Sequence, residues 1–428
     1  MQPRYLSPTK AWTLALAATL TMAVSYFDRQ TLAVLAPTVT KELGISDTQY
    51  GFLVAAFSLA YLFGSPLAGL MIDRVGARRG LLGAVGLWTL VAALHALVPG
   101  FGVLFALRLG LGLAEAPSFP GASQVVQRAL PPASRARGFG ILFTGSSLGA
   151  LIAPIAASKL AAAYGWRPAF LVTAIAGLLW IPIWILVTRD PQSREVLDTG
   201  TLSDPERSEA YREPAVQAAP APPKPGFFET LGNPAVLRAA AVVLASAPLA
   251  GFVLNWSAKY LATAEHVAQA DMGKYLFIPP IIYDVGSIGF GHLASAHLKR
   301  HGKPSKALFI LAGLMAASFP LVTVIHGPYA MVIIAGIALG GVAGLFTIFT
   351  ADMMSRVSPN AVSTAGGITA AAQSLVYVIA NPLVGAVIVA TGSYTLPILV
   401  LPALILPGVA LWCLWEPASK EPAVVTVG

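Results

Sequence analysis

The sequence is poor in charge and has almost no cysteine. Asp, Glu, Lys and Arg make up 11% of the 428 residues, whereas 56% are hydrophobic and the mean hydropathy is +0.72. Soluble domains are about 25% charged, so this composition excludes an ordinary soluble protein. The single cysteine, Cys413, excludes an internal disulfide and a cysteine-based metal cluster, and the six histidines lack metal-ligand spacing. No catalytic constellation is evident, so an enzyme is not expected.

Long apolar runs dominate instead. A helix needs about 20 apolar residues to cross about 30 Å of hydrocarbon, and twelve such runs recur along the chain. The sequence therefore predicts an all-α membrane protein with twelve transmembrane helices. The first run continues past signal-peptide length without a convincing cleavage site, which indicates a retained helix. The runs lie at 11–36, 50–72, 81–98, 103–126, 139–163, 168–187, 235–261, 275–296, 307–325, 329–353, 365–390 and 395–415.

The basic residues behind the net charge of +8 are distributed as the positive-inside rule for membrane proteins predicts, and not in the pattern of a nucleic-acid-binding protein. Most basic residues fall in alternate loops, which predicts that both termini and the central linker are cytoplasmic. The expected surroundings are the lipid bilayer of an inner membrane, with no nucleic-acid partner. The loops assigned to the cytoplasm hold Arg4, Lys10, Arg74, Arg78, Arg79, Arg128, Arg135, Arg137, Lys299, Arg300, Lys303, Lys306 and Arg356.

One long polar stretch, residues 188–233, separates the sixth run from the seventh. It is rich in Pro, Ala and Glu, a composition typical of a flexible linker. The predicted organisation is a six-helix half over 1–188, a cytoplasmic linker over 189–233 and a second six-helix half over 234–428. Two such halves are typical of rocking transporters, whose substrate lies between them near mid-bilayer. A channel or a membrane-embedded enzyme is the alternative.

An acid and a guanidinium, Asp28 and Arg29, lie deep in the first apolar run. Each costs about 2.5 to 3.5 kcal/mol at mid-bilayer, so partners, water or ligand must offset them, which makes the pair a candidate working site. The planar fork of arginine matches a carboxylate. The alternative is that Arg29 only neutralises Asp28 or Glu115.

The loop after the second run reads GLMIDRVGARR over residues 69–79. It resembles the signature loop of the major facilitator superfamily, with a Gly, then Asp-Arg, then Gly and a basic pair. The predicted role is a latch that breaks when the halves rock, formed by Gly69, Asp73, Arg74, Gly76 and Arg78. A merely topogenic basic loop is the alternative. The corresponding loop at 291–300 lacks the acid, so a weaker second latch is expected.

Three motifs resemble the anion/cation symporter branch of that superfamily, which includes bacterial hexuronate- and galactonate-type importers. YFDRQTL at 26–32 is similar to the branch's Tyr-x-Asp-Arg. Residues 108–121 fit Arg-x6-Glu-x3-aromatic-Pro, and GWRPAF at 165–170 is the usual start of the sixth span. The resemblance covers essentially all twelve spans and is specific for the branch, not for one substrate.

The resemblance implies roles for particular residues. Arg29 is expected to grip the substrate carboxylate, and Asp28 and Glu115 to couple protons, because burial favours a neutral carboxyl whereas a nearby cation favours a charged one. Two alternatives stay open: Glu115 caps the broken segment after it, and the tyrosines only pack. The predicted substrate-binding residues are Arg29, Tyr26, Tyr61, Thr144, Ser147, Gln373, Ser374 and Asn381.

Two departures limit the substrate assignment. Val54 stands where vesicular carriers bear a histidine, and Ala370 where the branch commonly has asparagine. The expected function is proton-coupled import of an organic anion, most simply a hexuronate or aldonate, by a monomer without a cofactor other than the proton. The alternatives are a facilitative or exchange carrier of a small monocarboxylate and, less favoured, a drug-efflux antiporter.

Overall fold

The computed structural model describes residues 6–199, 226–357 and 361–417. Over these ranges the regular structure is helical, with short 3₁₀ turns at His95–Leu97, Gln269–Asp271 and Phe319–Thr323. The helices are α1 (Pro8–Glu42), α2 (Asp47–Val75), α3 (Ala77–Leu94), α4 (Phe101–Glu115), α5 (Ser118–Ala129), α6 (Pro132–Tyr164), α7 (Trp166–Thr188), α8 (Pro191–Thr199), α9 (Phe227–Leu231), α10 (Pro234–Thr263), α11 (Gly273–Leu276), α12 (Ile278–His301), α13 (Lys306–Ala317), α14 (Pro328–Arg356), α15 (Val362–Thr391), α16 (Thr395–Ala403) and α17 (Ile405–Leu414).

The predicted all-α membrane fold is confirmed. Eleven stretches of the described chain are long and apolar enough to cross a membrane. The twelfth long helix is α1, whose 35 residues include Asp28 and Arg29 and are therefore less apolar. Six spans lie in α1 to α7 and six in α10 to α17.

The fourth span is broken, as the sequence indicates. Helix α4 ends at Glu115 and α5 begins at Ser118, because Pro117 has no backbone N–H to continue the ladder. Glu115 thus lies at the end of a helix inside the bundle, with none of its surface exposed.

Helices α1 and α6 are in backbone contact, which fixes the position of Tyr26. A Cβ at Gly149 would lie 2.8 Å from the nitrogen of Phe27 and 2.9 Å from Cβ of Tyr26. Glycine is needed here because any side chain would force the two helices apart. The Tyr26 side chain is therefore held at a defined depth in the bundle.

Helix α8, at the start of the predicted linker, is docked against the first half. Asp190 precedes α8 and accepts hydrogen bonds from Ser193 N at 3.0 Å and Lys10 Nζ at 2.9 Å. These donors, Lys10 first, hold the pKa of Asp190 below its usual value. The other end of α8 is fixed by Arg78 Nη2, 3.4 Å from Asp198. Composition alone predicted only flexibility for this stretch, and residues 200–225 of it lie outside the described ranges.

The two halves meet at one end of the bundle, which we call the closed end; it holds residues 43–46 and 264–272. The buried Lys259 of α10 forms an ion pair with the partly buried Asp47 of α2 and donates to Thr40 Oγ1 of α1 at 3.2 Å. The hydroxyl of Tyr50 donates to Asn255 O at 2.7 Å. Each of these contacts joins the first half to the second.

Helices α2 and α15 show that the halves part at the opposite, open end. Near the closed end, a Cβ at Gly51 would lie 2.8 Å from Cα of Pro382. Toward the open end the same two helices carry Gly69, Gly366 and Gly367, and no atom lies within 4 Å of where their Cβ atoms would be. Gly69 is about five helical turns from Gly51 on the same face of α2, so this face is in contact with α15 at the closed end and uncovered toward the open end.

Candidate functional site

Arg29 is the centre of a cluster built by three helices of the first half. Its Nε donates to Glu115 Oε2 at 2.7 Å, so the carboxylate at the break of the fourth span neutralises the cation of the first. The Arg29 side chain is 16% exposed, whereas Glu115 is fully buried. Nη2 of Arg29 is buried without a hydrogen-bond partner among the described residues. The guanidinium therefore keeps an unused donor beside its ion pair.

Aromatic rings enclose this guanidinium. Its carbon lies 4.8 Å from the ring centre of Tyr26, 4.9 Å from that of Phe57 and 4.6 Å from that of Tyr61. Phe57 and Tyr61 are one turn apart on α2 and their rings stack at 6.0 Å. Cation–π contacts of desolvated cations are worth up to about 2 kcal/mol each, so the rings both stabilise Arg29 and hold its plane.

Glu115 is held by two donors but only through one oxygen. Ser25 Oγ donates to Oε2 at 2.7 Å, in addition to Arg29. Oε1 is buried without a partner within the described chain. A second acceptor oxygen is thus ready to take a proton or a hydrogen bond.

Asp28 lies on another face of α1 and is 4% exposed. Neither of its carboxylate oxygens has a hydrogen-bond partner in the part of the chain that the structure describes. An unpaired carboxylate at such depth is costly, which is the usual mark of an ionisable residue kept for function in a membrane protein.

Arg108 is a second cation beside the cluster and is buried. Its guanidinium lies 4.8 Å from the ring centre of Phe57, so this ring lies within cation–π range of both Arg108 and Arg29. Arg108 is seven residues before Glu115 on α4, too far along the helix axis for a direct contact, and the two side chains do not pair.

Tyr26 brings the cluster to the interface between the halves. Its Cβ lies against Gly149 of α6, two residues from Ser147, whose Oγ donates to Asp284 of α12 in the second half. Gln373 Nε2 donates to the Tyr377 hydroxyl at 2.9 Å. The second half therefore contributes a carboxylate on α12 and a paired amide and hydroxyl on α15.

The other residues predicted to bind substrate are dispersed. Ser147 Oγ donates across the interface to Asp284 Oδ1 at 2.6 Å, and Ser374 is half-buried on α15. Thr144 is exposed and donates to its own helix at Ile141 O, 2.7 Å away. Asn381 is buried near the closed end, with its Oδ1 accepting from Trp256 Nε1 at 3.0 Å. Contact of Thr144 and Asn381 with substrate stays a prediction.

One residue of the predicted latch, Arg78, has a partner that the sequence did not indicate. Gly76, with φ at +79°, joins α2 to α3, and Arg78 pairs with Asp198 of α8. Gly69 faces open space and Arg74 is exposed. The side chain of Asp73 lies outside what the structure describes, so its predicted pairing stays a prediction.

Sequence reasoning missed two members of the Arg29 cluster. Ser25 precedes Arg29 by four residues, and this one-turn spacing indicates that both face the same neighbour. Phe57 precedes Tyr61 by the same spacing on α2. Helical periodicity around each charged residue was therefore the available signal.

Two six-span halves, joined at one end and enclosing a buried cation near their interface, define a membrane transporter of the two-half helical class. The sequence profile of the Major Facilitator Superfamily matches residues 18–380. The chain belongs to this superfamily, whose members are transporters and not enzymes.

Curated relatives cover most of the chain at low identity. The hexuronate transporter of Escherichia coli K12 is 25% identical over 366 residues, covering 84% of this chain and 83% of its own. The galacturonate transporter of Dickeya chrysanthemi is 27% identical, over 66% of this chain and 81% of its own. A probable galactarate/D-glucarate transporter of Bacillus subtilis is 23% identical, over 90% and 87%. The protein is thus related to sugar-acid transporters.

A solved structure shares the fold. A bacterial homologue of the human lysosomal transporter Spinster, in an inward-facing and unoccupied conformation, superposes with a TM-score of 0.78 at 19% identity. The match covers 96% of this chain and all of that one. The transporter fold is therefore confirmed over both halves.

Proposed function

We propose that the protein imports a sugar acid, a hexuronate or an aldonate, together with protons. The observation that carries this proposal is the Arg29–Glu115 pair, which lies inside an aromatic enclosure at the interface of the halves. A substrate carboxylate binds the guanidinium in competition with Glu115. Similarity to the hexuronate and galacturonate transporters supports sugar acids as the substrates.

Proton coupling follows from this competition. When the substrate draws Arg29 away, Glu115 is left buried in a medium of low dielectric, where a neutral carboxyl is favoured over a charged one. Protonation of Glu115, and of Asp28, which has no partner among the described residues, lets the loaded carrier rearrange without an isolated buried charge. Substrate and proton are therefore carried together.

Which end of the bundle faces the cytoplasm is inferred from the distribution of basic residues among the loops. With both termini in the cytoplasm, as the basic loops indicate, the open end faces the cytoplasm and the closed end faces outward. The described conformation is then the one that releases substrate inward. Import requires the closed end to open and the other end to close.

Counterflow into proteoliposomes tests the substrate class. Vesicles preloaded with unlabelled galacturonate should take up labelled galacturonate or galactonate rapidly, whereas small monocarboxylates such as lactate should neither enter nor compete. Equal or better exchange of lactate would favour the facilitative monocarboxylate carrier and overturn the sugar-acid assignment.

A gate prediction concerns Lys259, which joins three helices at the closed end. Lys259→Met keeps the length of the side chain but removes the charge that pairs with Asp47, so the closed end should open more often. In a Cys413→Ala background, a cysteine at Val253, a buried residue six positions before Lys259 on α10, reports this opening by reaction with a membrane-impermeant thiol reagent. We expect labelling from the closed end to rise by about fivefold, which is about 1 kcal/mol in the conformational equilibrium.

Lys274→Met is the matched control for the gate. Lys274 pairs with Asp271 three residues away and lies at the same end, but it does not bridge the halves. Labelling should be unchanged in this variant. If Lys259→Met also leaves labelling unchanged, Lys259 is not part of a gate.

A further inference from the structure

Asp284 is an acid in α12, a membrane-spanning helix of the second half. The proposed proton coupling gives it no role. It is half-buried, and Ser147 Oγ donates to its Oδ1 across the interface at 2.6 Å. Within the described ranges it forms no ion pair. Asp352, by contrast, is held by both Arg238 and Arg356. Among the described residues, Asp284 is therefore an acid without a neutralising cation.

Asp284 lies across the interface from the arginine cluster. The ring centre of Tyr26 lies 4.8 Å from the Arg29 guanidinium carbon. Ser147, which bonds Asp284, is two residues from Gly149, the point where α6 touches Tyr26. The interface thus carries a cation on the side of the first half and an acid on the side of the second.

The Asp284 carboxylate has acceptor capacity beyond its bond to Ser147. An ionised carboxylate offers about four lone-pair positions, and one serine donor fills one of them. The hydroxyl groups of a polyhydroxy acid are suitable donors for the rest. A second carboxylate on the substrate would instead meet a like charge, with no cation beside it to compensate.

We propose that Asp284 determines specificity by accepting hydroxyl groups of the substrate and rejecting a second carboxylate. The transporter then selects acids with one negative charge, the hexuronates and aldonates, over the doubly charged aldarates. This inference rests on the proposed function, because it assumes that Arg29 holds the first carboxylate. Overall similarity does not decide the matter, since the relatives include both a hexuronate and a probable galactarate/D-glucarate transporter.

The test is counterflow of labelled galacturonate and labelled galactarate at neutral pH in the same proteoliposomes. The unaltered chain should prefer galacturonate by at least about tenfold, which is about 1.4 kcal/mol. Asp284→Asn should reduce this preference about fivefold or more, because galactarate then meets an amide that can donate. Asp284→Glu keeps the charge and should keep the preference.

Asp271→Asn provides the matched acid-to-amide control, since Asp271 lies at the closed end and pairs locally with Lys274. It should leave the preference unchanged. Equal exchange of both acids by the unaltered chain would overturn the inference without the need for any variant. So would a preference that Asp284→Asn leaves intact. If neither sugar acid is exchanged, the proposed function fails and this inference fails with it.

Discussion

Replacing Arg29 by lysine should lower the affinity for a hexuronate or aldonate by about 100-fold or more, equivalent to about 2.7 kcal/mol. Lysine keeps the charge but loses the planar fork that binds a carboxylate through two parallel hydrogen bonds. It also loses the shape that packs against Tyr26, Phe57 and Tyr61, so the ammonium would not be held at the same point. Equilibrium binding of labelled galacturonate to the purified protein measures the change.

Arg167→Lys is the matched control for this variant. Arg167 pairs with Glu42 near the closed end, and the ion pair is solvent-exposed. The same substitution there should change the affinity by less than about twofold, because exposed ion pairs contribute about 0 to 1 kcal/mol. Unchanged affinity in Arg29→Lys would mean that Arg29 only neutralises Glu115.

The second large effect is expected from Glu115→Gln. Glutamine has the size of glutamate and can still accept from Ser25 and Arg29, but it cannot release or take up a proton at this site. Counterflow should persist, since binding and rearrangement remain possible. Accumulation driven by a proton gradient should fall toward simple equilibration, that is, toward a concentration ratio of about one, because the proton bound at Glu115 no longer travels with the substrate.

Asp28→Asn separates the two acids. Asp28 has no partner within the described chain, so its amide variant should not disturb the Arg29 pair, and any loss of accumulation reports a proton site. Glu42→Gln is the control, because Glu42 binds Arg167 and Trp166 far from the cluster. Full accumulation in both Glu115→Gln and Asp28→Asn would exclude these residues from coupling.

The architecture was predictable because the bilayer constrains it directly. Twelve apolar runs must form helices that satisfy their own backbone, so run length and hydropathy were sufficient for the spans. The break after Glu115 followed from the proline at 117. Asp28, Arg29 and Glu115 stood out because ionisable residues are rare at that depth.

Tertiary contacts between distant segments were not predictable in the same way. No local pattern indicated that Asp198 of α8 would pair with Arg78, 120 residues earlier, or that α8 would dock at all. The burial of Asn381 against Trp256 likewise depends on how α15 packs on α10. The sequence alone assigned residue types suitable for a sugar acid but not which of them share a cavity.

The most direct test of the whole account is uptake of labelled galacturonate into proteoliposomes that start without internal substrate, with and without an inward proton gradient. The account predicts accumulation above the external concentration only when the gradient is present, and loss of that accumulation when a protonophore collapses it. Uptake that reaches the same level with and without the gradient would contradict proton-coupled import.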